Sequence, residues 1–289
     1  MDQWAPPIEA VNYHIWRSCN MRCKFCYATY DSVLPVELTG GLPLEQARLL
    51  IQALRMSGFR KLTLAGGEPT LCPWILETVN YAKDIGFRTA MVSNGSRLTD
   101  ELIAAMAPSL DWIALSIDSV SEKVNLAQGR AVAGQRLVPT ERLISIARQF
   151  RRRGVRLKIN TVVTRLNADE VLLPLIEQVR PERWKIMRVL EIANENARSM
   201  PFLSIGEGMF EDFVKRNSAV PPGTVQIAED NDDMIGSYVM IDPGGRFIDN
   251  SANTYRVSGP ILAVGVEAAL QDVSLDREAF ERRGGSYDW

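Results

Sequence analysis

Histidine occurs once in these 289 residues, at His14, and cysteine only four times, at Cys19, Cys23, Cys26 and Cys72. Three of the four cysteines crowd into one short stretch, which is not the spread of a secreted disulfide framework. A charge surplus is also missing: 33 Lys and Arg stand against 35 Asp and Glu, a net charge of −2. That excludes a general nucleic-acid coat, so any anion site must be a local basic cluster. No stretch of about 18 residues is continuously apolar, so no membrane-spanning helix is expected. Met1-Asp2-Gln3-Trp4-Ala5-Pro6-Pro7 has neither a basic start nor an apolar core, so no targeting segment is read there. A cytoplasmic, reducing location is the expectation. The 46% of apolar residues exclude a disordered chain, and the length suits one large α/β domain with or without an appendage.

What is present reads as alternating strands and helices. Strands are expected at Val11–Ile15, Lys61–Ala65, Thr89–Ser93, Trp112–Ile117, Val155–Val163 and Trp184–Leu190. Helices are expected between them at Leu44–Ser57, Ile75–Asp84, Asp100–Ala107 after a cap at Thr99, Glu141–Arg153 and Ala168–Val179 after Asn167. Sequential βα units imply a parallel sheet with right-handed crossovers. Six units fall short of a closed eight-stranded barrel, leaving an open partial barrel or a doubly wound sheet. After about residue 195 the texture changes. A helix is expected at Gly206–Arg216, and a surface loop through Pro221-Pro222-Gly223 and the acidic run Glu229–Asp233. A hairpin is expected from Ser237–Ile241 and Arg246–Asp249, and short helices at Val266–Leu270 and Arg277–Arg283. The division predicts a domain over residues 1–195 and a C-terminal α+β extension over residues 196–289.

Cys19-Asn20-Met21-Arg22-Cys23-Lys24-Phe25-Cys26 follows the first strand. Three thiolates in one loop can converge on a soft metal centre. Zinc prefers four closed ligands, and only His14 and the remote Cys72 are candidates for the fourth, so a zinc-stabilised binding module is the competing reading. A [4Fe–4S] cluster held by three cysteines instead keeps one iron free for a small molecule. Gly66-Gly67-Glu68-Pro69 closes the second strand, at the strand end where α/β sheets bind ligands. Glycines there admit a close backbone approach, and Glu68 can accept from an ammonium.

The C-x3-C-x2-C spacing and the Gly-Gly-Glu-Pro segment resemble those of the radical SAM superfamily. The likeness implies a partial (β/α)6 radical SAM barrel, a [4Fe–4S] cluster on Cys19, Cys23 and Cys26, and S-adenosylmethionine as the second cofactor. It implies that Gly66, Gly67, Glu68, Ser93, Asn94, Ser116, Asp118 and Arg130 hold that cofactor. Asn12-Tyr13-His14, Lys158-Ile159-Asn160, Arg183-Trp184-Lys185, Ser237-Tyr238, Val264-Gly265-Val266-Glu267 and Arg283-Gly284-Gly285-Ser286-Tyr287 sharpen the likeness to the viperins. It runs from about Val11 to Trp289. No amphipathic helix precedes the cysteines, unlike the animal members, so the resemblance is to a soluble microbial viperin.

That family converts a nucleoside triphosphate (CTP, UTP or GTP) to its 3′-deoxy-3′,4′-didehydro form, an antiviral chain terminator, using an external electron donor. The resemblance implies substrate contacts from Asn12, His14, Lys61, Lys158, Asn160, Arg183, Lys185 and Arg283, and a catalytic role for Tyr238. Direct nucleic-acid or membrane binding is not expected. The residues carry part of this unaided. Lys158 and Asn160 share one face of a strand, as do Arg183 and Lys185, and a triphosphate needs converging cations. The absence of cysteine after Cys72 disfavours radical SAM enzymes with auxiliary clusters, the alternative that would act on a peptide or another small molecule. Ala65 stands where animal viperins carry serine, so a hydroxyl near a phosphate is expected to be lost. The segment Asp249–Asn253 lacks the cysteine found near there in animal members, so base preference does not transfer. The tail, residues 284–289, is expected to be disordered in the free enzyme and to close over bound nucleotide.

Overall fold

The computed structural model describes residues 4–289. Ten strands build one sheet: β1 Ala10–Trp16, β2 Lys61–Gly66, β3 Arg88–Ser93, β4 Trp112–Ser116, β5 Arg156–Val163, β6 Arg183–Arg188, β7 Val225–Glu229, β8 Val239–Ile241, β9 Phe247–Asp249 and β10 Arg256–Val257. Their spatial order is β10-β9-β8-β1-β2-β3-β4-β5-β6-β7. Neighbours from β8 across to β7 run parallel. β9 and β10 extend the β8 edge antiparallel, as a hairpin. The six expected strands are therefore joined by two further parallel ones, one at each edge, both from the C-terminal third.

The parallel strands alternate in an informative sense. In β5, Leu157, Ile159, Thr161 and Val163 are fully buried, while Lys158, Asn160 and Val162 are only partly so. In β6, Trp184 and Ile186 are buried between Arg183, Lys185 and Met187. The apolar side of each strand packs under the helix layer, and the other side lines an internal cavity. Leu44–Met56 shows the complementary face, burying Ala47, Leu50, Ile51 and Leu54. Gly58, just past its end, takes a left-handed φ of +96° that lets the chain turn into β2.

The two edges of the parallel array meet. The chain passes from the end of β7 to the start of β8 through one turn of helix, Asn231–Met234, with Asp230 as a reciprocal N-terminal cap. No ladder joins β7 to β8 among the described residues. Side chains bridge the seam instead: the Tyr238 hydroxyl donates to the Glu229 carboxylate. The result is an open barrel closed by a polar seam.

Three expectations need correction. The acidic run beginning at Glu229 is not a surface loop, because Glu229 ends β7 with 0% exposure. A buried carboxylate is admissible here because cations meet it, as described below. The helix after Asn167 begins only at Leu173, because the Asn167 side chain is not its cap. Its Oδ1 accepts from the Thr164 amide at 2.7 Å, and its Nδ2 donates to the carbonyls of Asp118 at 2.6 Å and Val162 at 3.0 Å. It clips the end of β5 to the loop after β4. A further helix, Glu122–Gln128, was not expected. No helix among the described residues is long and apolar enough to cross a membrane.

Asn167→Ala strands several fully buried polar groups, so it should lower unfolding stability by about 2–4 kcal/mol in a urea titration. A loss of only a few tenths would show that water or backbone replaces the clip.

Candidate active site

A cavity of about 290 Å³ occupies the inside of the barrel. The three loop cysteines stand at the end formed by the C-terminal ends of the strands, and the cations expected for substrate stand toward the other.

The cysteine loop is held from several sides. The Cys26 amide donates to the Cys23 carbonyl at 3.0 Å, closing a turn that keeps both thiols on the cavity. Lys24 and Arg22 donate backbone hydrogen bonds to the carbonyls of Gln128 at 2.9 Å and Gly129 at 3.3 Å. Asn196 donates to the Phe25 carbonyl at 3.1 Å. Glu195 accepts from the amides of Asp31 at 3.0 Å and Ser32 at 3.1 Å, and from the hydroxyls of Thr29 and Ser32. Burial pushes all three thiols up, Cys26 to about 12. Thiols in such a place are soft donors that ionise on binding metal. Cys72 lies in the apolar core away from them, 2% exposed. No group of three or more His, Cys, Asp or Glu side chains among the described residues is arranged around a single metal ion. Three thiols without a fourth partner match a four-iron cluster, which seats each thiolate on a different iron.

Beside the loop, the ends of β2, β3 and β4 supply Gly66, Gly67, Ser93, Asn94, Ser116 and Asp118, all on the cavity wall. The glycines are required by packing. A Cβ on Gly67 would stand 2.3 Å from the Arg17 carbonyl oxygen, and its amide donates to the Trp16 carbonyl at 2.7 Å. Glu68 also lines the cavity. One oxygen of its carboxylate accepts from the Thr70 amide at 3.2 Å, the Thr70 hydroxyl at 2.7 Å and the Ser93 hydroxyl at 2.8 Å, and the other from the Asn94 amide at 2.8 Å. Glu68 thereby fixes β3 against the turn after β2, and its second oxygen keeps an acceptor site. Arg130 binds Asp118 at 3.0 Å, donates to the Ser116 carbonyl, and reaches the Cys23 sulfur at 3.8 Å. It ties β4 to the cysteine loop.

At the cation end, strand register does the assembly. β5 and β6 pair Lys158 with Arg183 and Asn160 with Lys185, so the two inward pairs form a block. Lys61, on β2, and Arg283, after the last helix, face the same space. Burial and neighbouring cations push the Lys61 and Lys158 ammonium groups well below the usual lysine range. Burial lowers Lys185 to about 8 despite the nearby Glu229 carboxylate. Asn12 and His14 project inward from β1. His14 is 3% exposed and burial lowers it to about 4, so it enters the site as a neutral imidazole rather than a cation.

Glu229 is the residue that sequence reasoning missed. It lies 2.6 Å from Lys185 and 3.5 Å from Arg283, and accepts from Tyr238. Lys185 also donates to the Tyr238 hydroxyl at 2.5 Å, and the Arg283 guanidinium lies 3.6 Å from the centre of the Tyr238 ring. Two donations from Arg283 to Ser237, each 2.8 Å, complete the set. The only sequence signal was a carboxylate at the end of a short β-compatible run before a capping pair, and its acidic neighbours masked it.

Ala65 lines the cavity four residues along β2 from Lys61, roughly 13 Å at strand rise. One further expectation changes. The tail is packed into the cavity wall rather than loose. Lys158 donates to the Tyr287 hydroxyl at 2.9 Å, as Lys61 also does, and Arg183 lies 3.9 Å from the Tyr287 ring centre. A cation over the face of an electron-rich ring is a favourable contact.

Since Lys185 is charged below about 8, its attraction for a polyanion is present below that pH and lost as pH rises through it. Inorganic tripolyphosphate should bind more weakly by calorimetry at pH 9 than at pH 7. Lys185→Arg should flatten that step, and an unaltered step in this variant would assign the titration elsewhere.

Comparison with known proteins agrees with this geometry. The Radical SAM superfamily profile matches residues 13–178. An S-adenosylmethionine-dependent nucleotide dehydratase from Flammeovirga pacifica is 40% identical over 98% of this chain and 96% of its own length. One from Lacinutrix mariniflava is 40% identical over 98% of this chain, which spans 59% of that longer protein. One from Oncorhynchus mykiss is 33% identical over 97% of this chain and 80% of its own. Among solved structures, native anSMEcpe with bound AdoMet aligns over 97% of this chain and 84% of its own, with a TM-score of 0.64 and 14% identity. Streptococcus suis SuiB bound to S-adenosylmethionine aligns over 85% and 60%, with a TM-score of 0.63 and 15% identity, so both speak to the fold alone. A matching profile over more than half the chain, and relatives at 40% identity from end to end, place it in the radical SAM superfamily, where it belongs to the viperin-like S-adenosylmethionine-dependent nucleotide dehydratases.

Proposed function

We propose that this protein dehydrates a nucleoside triphosphate, CTP, UTP or GTP, to its 3′-deoxy-3′,4′-didehydro form. The observation that carries the reading is one cavity with three thiols at one end and a block of cations at the other. When bound, the [4Fe–4S] cluster and S-adenosylmethionine supply a hydrogen-abstracting adenosyl radical. Cys19, Cys23 and Cys26 hold the cluster. Gly66, Gly67, Glu68, Ser93, Asn94, Ser116, Asp118 and Arg130 shape the wall where the second cofactor would lie. Lys61, Lys158, Arg183, Lys185 and Arg283 receive the triphosphate, and Asn12, His14 and Asn160 face the nucleoside between.

The substrate loses a hydrogen atom from C4′, and its 3′-hydroxyl leaves as water after taking a proton. One electron from an external donor then completes the C3′–C4′ double bond. Tyr238 and Lys185 bring protons to this region, and Glu229 holds both in place. The product lacks a 3′-hydroxyl, so a polymerase that incorporates it cannot extend the chain, which suits antiviral defence. Residues 196–289 act as an extension that completes the nucleotide site of residues 1–195, since Glu229, Tyr238 and Arg283 all come from it. An oxygen-labile cluster favours a reducing, cytoplasmic setting.

Reconstituted without oxygen and given dithionite, the enzyme should form 5′-deoxyadenosine much faster with one triphosphate present, together with a nucleotide lighter by one water. Cleavage of S-adenosylmethionine that ignores every nucleotide would refute the dehydratase reading. Cys23→Ala should abolish the iron–sulfur absorbance and all cleavage. Lys158→Ala should weaken triphosphate binding on the order of tenfold, as loss of a charge-assisted hydrogen bond implies. Tyr238→Phe should bind both ligands and yield much less product; full yield would remove its role.

A further inference from the structure

The dehydration proposed above acts on the ribose, so the base is chosen by contacts away from the chemistry, and the following inference rests on that reading. We propose that Arg188, helped by Asn250, reads the nucleobase and selects a keto base, uracil or guanine, over the amino bases cytosine and adenine.

Arg188 has nothing of its own to bind. It ends β6, is half-buried and lines the cavity. Its Nε is buried without a partner, and its guanidinium makes no hydrogen bond, ion pair or ring contact among the described residues. Every other buried or half-buried arginine there donates to an acceptor, except Arg55, which lies over the Phe87 ring. A part-buried set of donors is costly unless a ligand completes it.

The surroundings suit a flat ring. Met187, Leu190, Met234 and Met240 belong to an apolar cluster separate from the main core, and all four line the cavity. Methionine adapts its shape and its sulfur packs well on aromatic rings. Asn250 is buried and lines the same cavity. The Gly236 amide can only donate, at 2.9 Å, which fixes the Asn250 Oδ1 on that side. Its Nδ2 is left with one long contact, 3.5 Å to the Met234 carbonyl, so a second N–H is unspent. The carboxylates that line the cavity, Glu68 and Asp118, stand instead on the cofactor wall.

Position along the strand decides which part of the nucleotide is read. Arg188 lies five residues along β6 from Arg183, roughly 16 Å at strand rise, a span for an extended nucleoside triphosphate. With its phosphates on the cations and its C4′ turned to the cofactor, the nucleotide sends toward Arg188 the base edge remote from the sugar. That edge carries O4 in uracil and O6 with N7 in guanine, all acceptors, but an amino group in cytosine and adenine. A guanidinium has five donors and no acceptor, so it bonds the keto bases and meets the amino bases donor to donor.

The test uses the reconstituted full chain with dithionite and UTP, GTP, CTP and ATP singly. It reads kcat/KM from 5′-deoxyadenosine and from dehydrated nucleotide. The parent should favour UTP or GTP over both CTP and ATP on the order of tenfold or more, and whichever of the two leads gives the base size. A lead for CTP or ATP would overturn the proposal without any variant. Arg188→Gln should cut the keto-over-amino ratio roughly tenfold, through loss of the preferred triphosphate, while S-adenosylmethionine binds as in the parent by calorimetry. Arg188→Lys, which keeps the charge and loses the fork, should fall between the two. An unchanged ratio in Arg188→Gln would overturn the proposal, as would an equal loss for all four triphosphates. Weakened S-adenosylmethionine binding with base choice intact would also overturn it, by assigning Arg188 to the cofactor. Cleavage in the parent that ignores all four nucleotides would overturn the dehydratase reading and this inference with it.

Discussion

The buried Glu229 carboxylate is the constraint on which the rest of this molecule turns. Five cations face one cavity end, and their mutual repulsion opposes folding. Glu229 meets Lys185 and Arg283 directly and accepts from Tyr238 across the seam between β7 and β8. Removing one partner of such a buried set leaves the others uncompensated, typically at about 3–5 kcal/mol. One side chain thus closes the barrel edge, offsets part of the cation repulsion and orients the phenol. It is also the reason the C-terminal third cannot be an independent appendage in its contribution to the site: its residues hold β6 from the far side of an open sheet.

Carboxylates serve a second purpose at the opposite end. Glu68 and Glu195 both stand near the cysteine loop, and each accepts from several donors. Glu68 binds backbone and hydroxyl donors from the segments after β2 and β3, and Glu195 binds those of residues 29–32. A charged acceptor taking several backbone amides holds a loop more firmly than neutral contacts do. Phe25 anchors the cysteine loop in the apolar core, and this clamping adds to it. The site is polarised along the barrel, with soft donors and hydrogen-bonded carboxylates at the strand C-termini and cations at the other end. Tyr287 packs onto those cations.

The fold was legible where hydrophobic period and turn residues coincide. The helix at Ile75–Asp84 begins and ends where its pattern says, and β1 to β6 lie within a residue or two of their expected limits. β7 was hidden because a proline-rich approach and an acidic exit read as surface, and only its hydrogen-bonded pairing with β6 makes it a strand. A helix was expected directly after Asn167, but it begins only at Leu173. Tertiary contacts with Asp118 and Val162 redirected Asn167.

The sequence alone carried much of the chemistry: the spacing of three cysteines marks a soft metal site, and the period-2 placement of Lys158, Asn160, Arg183 and Lys185 puts them in pairs on shared strand faces, because both depend on residues close together in the chain. Tertiary structure decided how these parts are joined. It placed Lys158 opposite Arg183, tied Glu68 to Ser93 and Asn94, and made Glu229 the counter-ion. Each of those outcomes depends on strand register or on contacts between residues far apart in sequence, which no local pattern encodes.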